Sequence, residues 1–515
     1  MNLIELESIN YNRPGMDNPL RNIQLTVEAG DFVQLKGLSR AGKSTLVDFM
    51  LGIRQPDSGT VKILGESPNT LNHKFSLGVV LQKLRFPEQA SQLGMLIDLI
   101  ESHYPEATGK VTSTLEKFNY ILKQDKANLS GGEESIIFFA LAQAGSPGLL
   151  ILDEPTSNLD ERNRNIIWRE LQKFHDLGGT VLLISHDPEI GVKPTKTFLL
   201  EEGQLVLILE GEDSRPNLPE KSISILSQPK QLGISHWSHL LFKHVKFNLL
   251  QIVQNDKKYI FLSLISSIIY ALLPAFISNL SKNSDSDIMF KSIADYYTFY
   301  LALAAISSTG NTIAIERQDQ TLKKLFKILP LPPIIYLSAK VITSLILVYS
   351  FVLVMIAVTL ISHAFIYPSV LDNTLQSISS IFGSFPVWLV LSTGLILGII
   401  PYLFLGLALG CLFGQRNVQV ISLICTFILT LPIYTSQILP LIDVPNRNFL
   451  QLSADNIAAY SPMFHFNQFI LFLANLPDYD QYIWLHLSWL IWFSFSSLLI
   501  AVWVYQSFLR KEAKA

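Results

Sequence analysis

The chain changes its hydrophobic rhythm near its middle. Up to about residue 212, short runs rich in β-branched residues alternate with Gly-containing polar turns and with stretches of helical spacing. Strand-sized runs such as DFVQLK (31–36), LLILD (149–153) and LLIS (182–185) lie between helix-sized segments. That alternation predicts an α/β fold around a largely parallel sheet. From about residue 259 the polar breaks thin out and long apolar runs follow. A bilayer core needs roughly 20 apolar helical residues to cross. Five uncharged runs reach that length: 259–280, 341–362, 385–414, 418–442 and 483–509; a sixth, 296–313, is shorter. They predict an all-α domain of six transmembrane helices. Pro274, Pro401, Gly406 and Pro432 lie inside these runs, where a membrane helix tolerates them.

Between the two rhythms the residues from Gly211 to about His236 are rich in Pro, Ser and charge, as linkers are. The expected organisation is an α/β domain over 1–212, a linker over 213–236, and a membrane domain over 237–515. The stretch 237–256 places Trp237, Leu240, Leu241, Val245 and Leu249 near helical spacing with Lys243 and Lys246 among them, so it reads as an amphipathic connecting helix on the membrane surface. Lys and Arg in the flanks orient the spans. One side holds Lys257, Lys258, Arg317, Lys323, Lys324, Lys327, Lys340, Arg416, Arg510, Lys511 and Lys514, against Lys282, Lys291 and Arg447 on the other. The rich side is expected in the cytoplasm. MNLIELESINYNRPG has no basic segment ahead of an apolar core, so the first domain is expected there too. The segment 440–482 is too long for a simple turn, and its apolar stretch MFHFNQFILFLA predicts a short helix.

Composition agrees with this division. Of 515 residues, 49% are apolar and only 16% charged, against about 25% charged in an ordinary soluble protein. A wholly soluble enzyme is not expected, and disorder is excluded for most of the chain. A formal net charge of -3 argues against a nucleic-acid partner held by bulk charge. The two cysteines, Cys411 and Cys425, sit in apolar runs, so neither a disulfide framework nor a cysteine zinc site is expected.

The chemistry lies in the first domain. GLSRAGKST, Gly37–Thr45, fits the phosphate-loop pattern GxxxxGK[ST] between a strand and a helix. Backbone N–H groups of Gly37, Ser39, Arg40, Ala41 and Gly42, and the start of the helix at Lys43, Ser44 and Thr45, are the candidate phosphate cradle. Lys43 is expected to hold the β- and γ-phosphates of ATP, and Ser44 a Mg²⁺ ion. LLILDEP, Leu149–Pro155, is a buried strand that ends in two acids. Asp153 is the candidate Mg²⁺ organiser and Glu154 the candidate catalytic base that polarises water.

In this order the motifs resemble the ATP-binding cassette family, across the whole first half. LSGGE, Leu129–Glu133, looks like the family's signature; by that resemblance Ser130, Gly131 and Gly132 would bind the γ-phosphate of a nucleotide held by another cassette. Gln82 stands where the family's Q-loop glutamine would contact Mg²⁺ and the catalytic site. SNLD, Ser157–Asp160, matches the D-loop, with Asp160 at the nucleotide; His186 matches the switch histidine of catalysis; Tyr11 stands like the aromatic that stacks on adenine. Arg40 departs from the pattern, since Gly is usual there, and Glu134–Ile136 replace a usually polar and basic run.

The family sandwiches ATP between two cassettes, so one cassette and six spans imply a half-transporter that needs a second, most simply identical, half. Cassette-first order, a connecting helix and a long segment before the last span resemble the ABCG-like, type V exporters. That resemblance implies ATP-driven export of a hydrophobic or amphipathic substrate, with a pathway along Phe299, Ile306, Asn311, Phe427, Leu431 and Tyr434. A polysaccharide or glycolipid exporter, and a membrane ATPase that actuates a partner without cargo, are the alternatives.

Overall fold

A computed structural model describes residues 1–12, 18–68, 74, 76–81, 90–104, 109–118, 130–185, 191–210, 233–255, 257–281, 286–318, 329–366, 385–438, 461–473 and 483–514. The chain divides into two compact units. One comprises Met1–Phe247, Asp319–Leu337 and Leu509–Ala515; the other comprises Asn248–Gln318 and Ser338–Phe508.

The described residues of the first unit form two sheets. β1 (Asn2–Tyr11) pairs antiparallel with β2 (Leu20–Glu28) and with β4 (Ser58–Ile63). The larger sheet runs β5-β6-β7-β3-β8-β9, built from β3 (Phe32–Gly37), β5 (Leu77–Val80), β6 (Leu149–Asp153), β7 (Thr180–Ile184), β8 (Lys196–Glu201) and β9 (Gln204–Glu210). Its first five strands are parallel and β9 returns antiparallel. Every residue of β6 and β7 is buried, which is why LLILD and TVLLI are unbroken apolar runs rather than alternating ones. Truncating one of these, such as Leu150, would cost about 2–5 kcal/mol.

Helices cover the sheet. They are α1 (Lys43–Met50), α2 (Ala90–Ser102), α3 (Lys110–Lys117), α4 (Gly131–Ala142) and α5 (Glu161–Asp176). α5 turns Ile167, Trp168 and Leu171 to the core and its charges outward, the pattern of a surface helix. Below the sheet, Asp31 is fully buried, and its carboxylate meets the Lys196 ammonium at 3.1 Å. Burying that carboxylate alone would be prohibitive; the lysine and the Glu28 N–H, at 2.9 Å, offset the cost.

α6 (Ile234–Asn255) starts in the first unit and ends in the second. The second unit continues with α7 (Lys257–Ser281), α8 (Ser286–Gln318), α9 (Pro333–Ile366), α10 (Phe385–Leu412), α11 (Gln415–Ile438), α12 (Pro462–Leu473) and α13 (Ile483–Lys514), some of whose ends belong to the first. Among the described residues two segments are long and apolar enough to cross a membrane, Pro333–Thr359 and Trp484–Ser507. Shorter apolar helical segments are Ile260–Ile269, Ile396–Leu412 and Asn417–Leu429. Helix α8 extends well beyond the apolar run 296–313, because polar residues prolong a helix without lengthening its apolar face. Pro333 opens α9, where its missing N–H costs nothing.

Small residues let α8 and α10 touch backbone to backbone. A Cβ on Gly406 would lie 2.3 Å from the Ile306 carbonyl oxygen, and one on Gly410 would lie 2.6 Å from that of Gly310. Phe466 of α12 fills the space above Gly398. Lys340, expected as a loop-end cation, is instead buried in this unit. Its Nζ donates to Asn248 Oδ1 at 3.0 Å and to the Thr312 carbonyl at 3.3 Å, so side chain and backbone dipoles replace water around the charge.

Candidate nucleotide site

The candidate residues gather at the carboxyl edge of the parallel strands. Asp153 and Leu35 are both in register with Ile184, so β6 and β7 end on one rung and β3 runs two residues further, and the three strands release their loops at the same edge. The loop after β3 is Gly37–Gly42. A Cβ at Gly37 would lie 2.4 Å from the Leu200 carbonyl oxygen, and its φ is +151°, so only glycine fits. Gly42 precedes α1 with φ +107° and provides no side-chain cap. No side chain caps the start of α1, and an anion is the ligand a helix start favours. Arg40 holds a left-handed φ of +67° without being glycine, at a cost of about 1–2 kcal/mol.

Lys43 is buried. Its Nζ donates to the carbonyl oxygens of Gly37 at 2.7 Å and Leu38 at 2.8 Å, tying the loop into an arch. Burial pushes the ammonium below its ordinary value, while the carboxylates of Glu154 and Asp153 act to raise it. Lysine, arch and the two acids therefore share one electrostatic neighbourhood. Ser44 is exposed on the first turn of α1.

Asp153 is the buried last residue of β6. Glu154 follows in a left-handed turn, φ +55°, fixed by its N–H donating to the Ile184 carbonyl at 3.0 Å. A non-glycine residue held there stores strain of about 1–3 kcal/mol, as functional turns do. Ser157 closes the turn, its hydroxyl donating to the Glu154 carbonyl at 3.2 Å.

Asp153 and Glu154 line a cleft with Gly131, Glu134, Ser157 and Asn158. Gly132 is forced by contact: a Cβ there would lie 2.8 Å from the Asn158 carbonyl oxygen. The start of α4 thus rests on the 157–160 turn. Ser130 caps α4 in a reciprocal box. Its Oγ accepts from the Glu133 N–H at 3.3 Å, and its own N–H donates to Glu133 Oε2 at 2.8 Å. The Ser130 hydroxyl also donates to Glu133 Oε2, at 2.9 Å. Asp160 caps α5, accepting from the Asn163 N–H at 2.8 Å.

Tyr11 departs from expectation. The residue is 6% exposed, its ring packs edge-on against Phe49 with centroids 5.1 Å apart, and its hydroxyl accepts from Arg54 at 2.8 Å. A ring enclosed in this way has no open face for a base, so the geometry gives Tyr11 a core role rather than adenine stacking. Gln82, His186 and Leu129 lie outside the described residues.

The arrangement fits a Mg²⁺-nucleotide on two counts: a helix start behind a glycine with no side-chain cap, and a buried lysine beside two acids. Lys43 and the α1 N–H groups would hold the phosphates, and Ser44 and Asp153 would hold the metal.

The ABC transporter family model matches residues 20–157. The chain is 32% identical over 202 residues to the lipoprotein-releasing system ATP-binding protein LolD of Pseudomonas fluorescens, covering 37% of this chain and 89% of that protein. It is 28% identical over 222 residues to the macrolide export ATP-binding/permease protein MacB of Chlorobium phaeobacteroides, covering 40% of this chain and 33% of that one. The matched part thus spans about a third of the macrolide-export relative. A solved nucleotide-free ATP-binding cassette from an ABC transporter aligns at 20% identity over 44% of this chain and 96% of that one, with a TM-score of 0.35. The phosphate loop, the two acids at the end of β6 and the LolD match over nearly the whole of that protein lead to one conclusion: the chain belongs to the ABC transporter family and carries its ATPase cassette.

Proposed function

We propose that the chain is an ATP-driven membrane exporter of the ABCG-like, type V kind: a half-transporter that pairs with an identical copy and moves a hydrophobic or amphipathic substrate. The observation that carries this reading is one polypeptide holding both a complete phosphate-loop-and-acid constellation and a set of long apolar helices. Large apolar side chains on those helices stand open: Phe261 is 63% exposed, Phe427 56% and Trp503 69%. Surface of that kind is unfavourable in water and matched by lipid. Six spans, with the cassette on the cytoplasmic side, follow from the apolar runs and the flanking cations. Phe299, Ile306 and Asn311 are buried within the second unit, so a pathway along them would require its helices to part.

At the site, Lys43 and the α1 N–H groups bind and orient the triphosphate. Ser44, Asp153 and Gln82 position Mg²⁺, which when bound would neutralise phosphate charge. Glu154 draws a proton from the attacking water, and its strained turn aims the carboxylate. His186 holds the terminal phosphate side of the site. Ser130, Gly131 and Gly132 of one copy close over the nucleotide of the other, and closure biases the helices between two states. The test is cargo-dependent turnover: a transported amphipathic compound stimulates ATP hydrolysis in reconstituted vesicles and accumulates across the membrane. Hydrolysis controlled only by a protein partner, with no flux for any cargo class, would overturn the exporter reading.

A further inference from the structure

The loop after β3 carries a second cation whose side chain has no task inside the cassette. Leu38–Ala41 form a tight turn, closed by the Ala41 N–H donating to the Leu38 carbonyl at 3.2 Å. The same carbonyl accepts from Lys43 Nζ at 2.8 Å, so the turn is pinned from two sides. Arg40 is its third residue. Its φ of +67° is the left-handed value that turns of this kind ask of Gly or Asn at that position. Its side chain is exposed and makes no hydrogen bond or ion pair among the described residues. Arg54, the next cation along the chain after Lys43, shows the contrast. Its guanidinium is held by Asp48 at 3.5 Å and by the Tyr11 hydroxyl at 2.8 Å. A strained backbone position thus carries a cation that the fold does not use.

Electrostatics give that cation a task. Lys43 shares its neighbourhood with the carboxylates of Asp153 and Glu154, so one positive charge meets two negative ones. Two of its three donors go to the Gly37 and Leu38 carbonyls. A polyphosphate drawn to this cradle needs positive charge beyond that lysine, and Arg40 stands three residues away on the same loop.

We propose that the Arg40 side chain is a further phosphate-binding group, held out by the turn to close over the polyphosphate of a bound nucleotide and to favour a triphosphate over a diphosphate.

This role rests on the reading of Gly37–Thr45 as a nucleotide cradle. A guanidinium stays charged at any working pH and can offer two parallel donors to phosphate oxygens. A triphosphate carries more negative charge than a diphosphate, so the same cation helps it more. Because the side chain is exposed, its pull is weakened by salt. Backbone strain kept at position 40 then has a use, since it presents a charge that glycine would not supply.

Binding of ADP and of a non-hydrolysable ATP analogue to the full chain in lipid nanodiscs, with Mg²⁺ and at low and high salt, tests this role. Arg40→Gln removes the charge and keeps the strained turn. Its affinity for the triphosphate should fall about tenfold and that for ADP by a smaller factor, and its binding should depend less on salt than the parent's. Arg40→Lys restores a charge and should recover most of the loss. Arg40→Gly removes the charge but relaxes the turn. Without nucleotide it should melt no lower than the parent, while its binding weakens as in Arg40→Gln. Lys43→Met serves as the control for the cradle. A parent that binds the triphosphate no better than Lys43→Met would overturn the cradle, and the role of Arg40 with it. Triphosphate affinity of Arg40→Gln within about twofold of the parent, beside a clear loss in Lys43→Met, would overturn the role of Arg40 alone. Equal losses for ADP and the triphosphate, or an Arg40→Gly chain that melts several degrees lower, would do the same.

Discussion

Replacing Lys43 with methionine separates what that residue does for the empty cassette from what it does for nucleotide. The ammonium donates to two carbonyls, at 2.7 and 2.8 Å, while burial works against its charge. Methionine keeps most of the volume and removes bonds and desolvation together. Such exchanges of buried charge for apolar bulk are often close to neutral, so unfolding free energy should change by about 1 kcal/mol or less. Binding is different, because methionine offers nothing to a phosphate. Loss of a charge-assisted bond costs about 1.5–3 kcal/mol, and about 2 kcal/mol weakens affinity roughly 30-fold. At an ATP concentration about 100 times the parent dissociation constant, ligand stabilisation should fall from about 2.7 to about 0.9 kcal/mol. Thermal unfolding with and without ATP, beside titration of a fluorescent nucleotide, measures both. Nucleotide affinity within twofold of the parent would refute the phosphate-binding role. An empty protein weakened by about 3 kcal/mol or more would show that the residue is chiefly a loop strut.

Other consequences follow from close contacts elsewhere. Gly132→Ala places a methyl 2.8 Å from the Asn158 carbonyl and must shift the start of α4; turnover should fall by about tenfold or more with nucleotide binding nearly unchanged, and equal losses in both would contradict this. Lys196→Met leaves Asp31 buried without its ammonium and should cost about 3–5 kcal/mol in urea unfolding; a loss under about 1 kcal/mol would mean the Glu28 N–H suffices. Gly398→Ala drives a methyl into the Phe466 ring and should destabilise the second unit by about 1–3 kcal/mol, read as a lower melting temperature in nanodiscs; an unchanged melting temperature would show that α12 moves freely aside.

Contiguous chemistry was readable from residues alone. A phosphate loop is one unbroken motif, and the apolar run before Asp153 announces a buried strand, so the relation of Lys43 to the two acids needed only the rule that parallel strands release loops at one edge. Other features depend on partners distant in the chain. Tyr11 is enclosed by Phe49 and Arg54, and nothing near position 11 foretells that. His103 and His244 meet across 141 positions, and Lys340 finds Asn248 across 92. The capping role of Glu133 lay open in the S-x-x-E spacing at Ser130, a helix-start signal hidden beneath the more conspicuous reading of the same residues as a signature. Helix ends in the second unit escaped the apolar count, because Ser286–Gln318 carries its helix through charged turns at both ends.

The central claim is that this one chain, paired with itself, turns over ATP through Glu154. The most direct test is hydrolysis by the purified chain in lipid nanodiscs beside Glu154→Gln, with particle mass determined in the same preparation. The account predicts a two-chain particle that hydrolyses ATP, and a variant that binds ATP, stays closed and does not turn over. Equal hydrolysis by the variant would remove Glu154 from its role, and a one-chain particle with full activity would contradict the paired site.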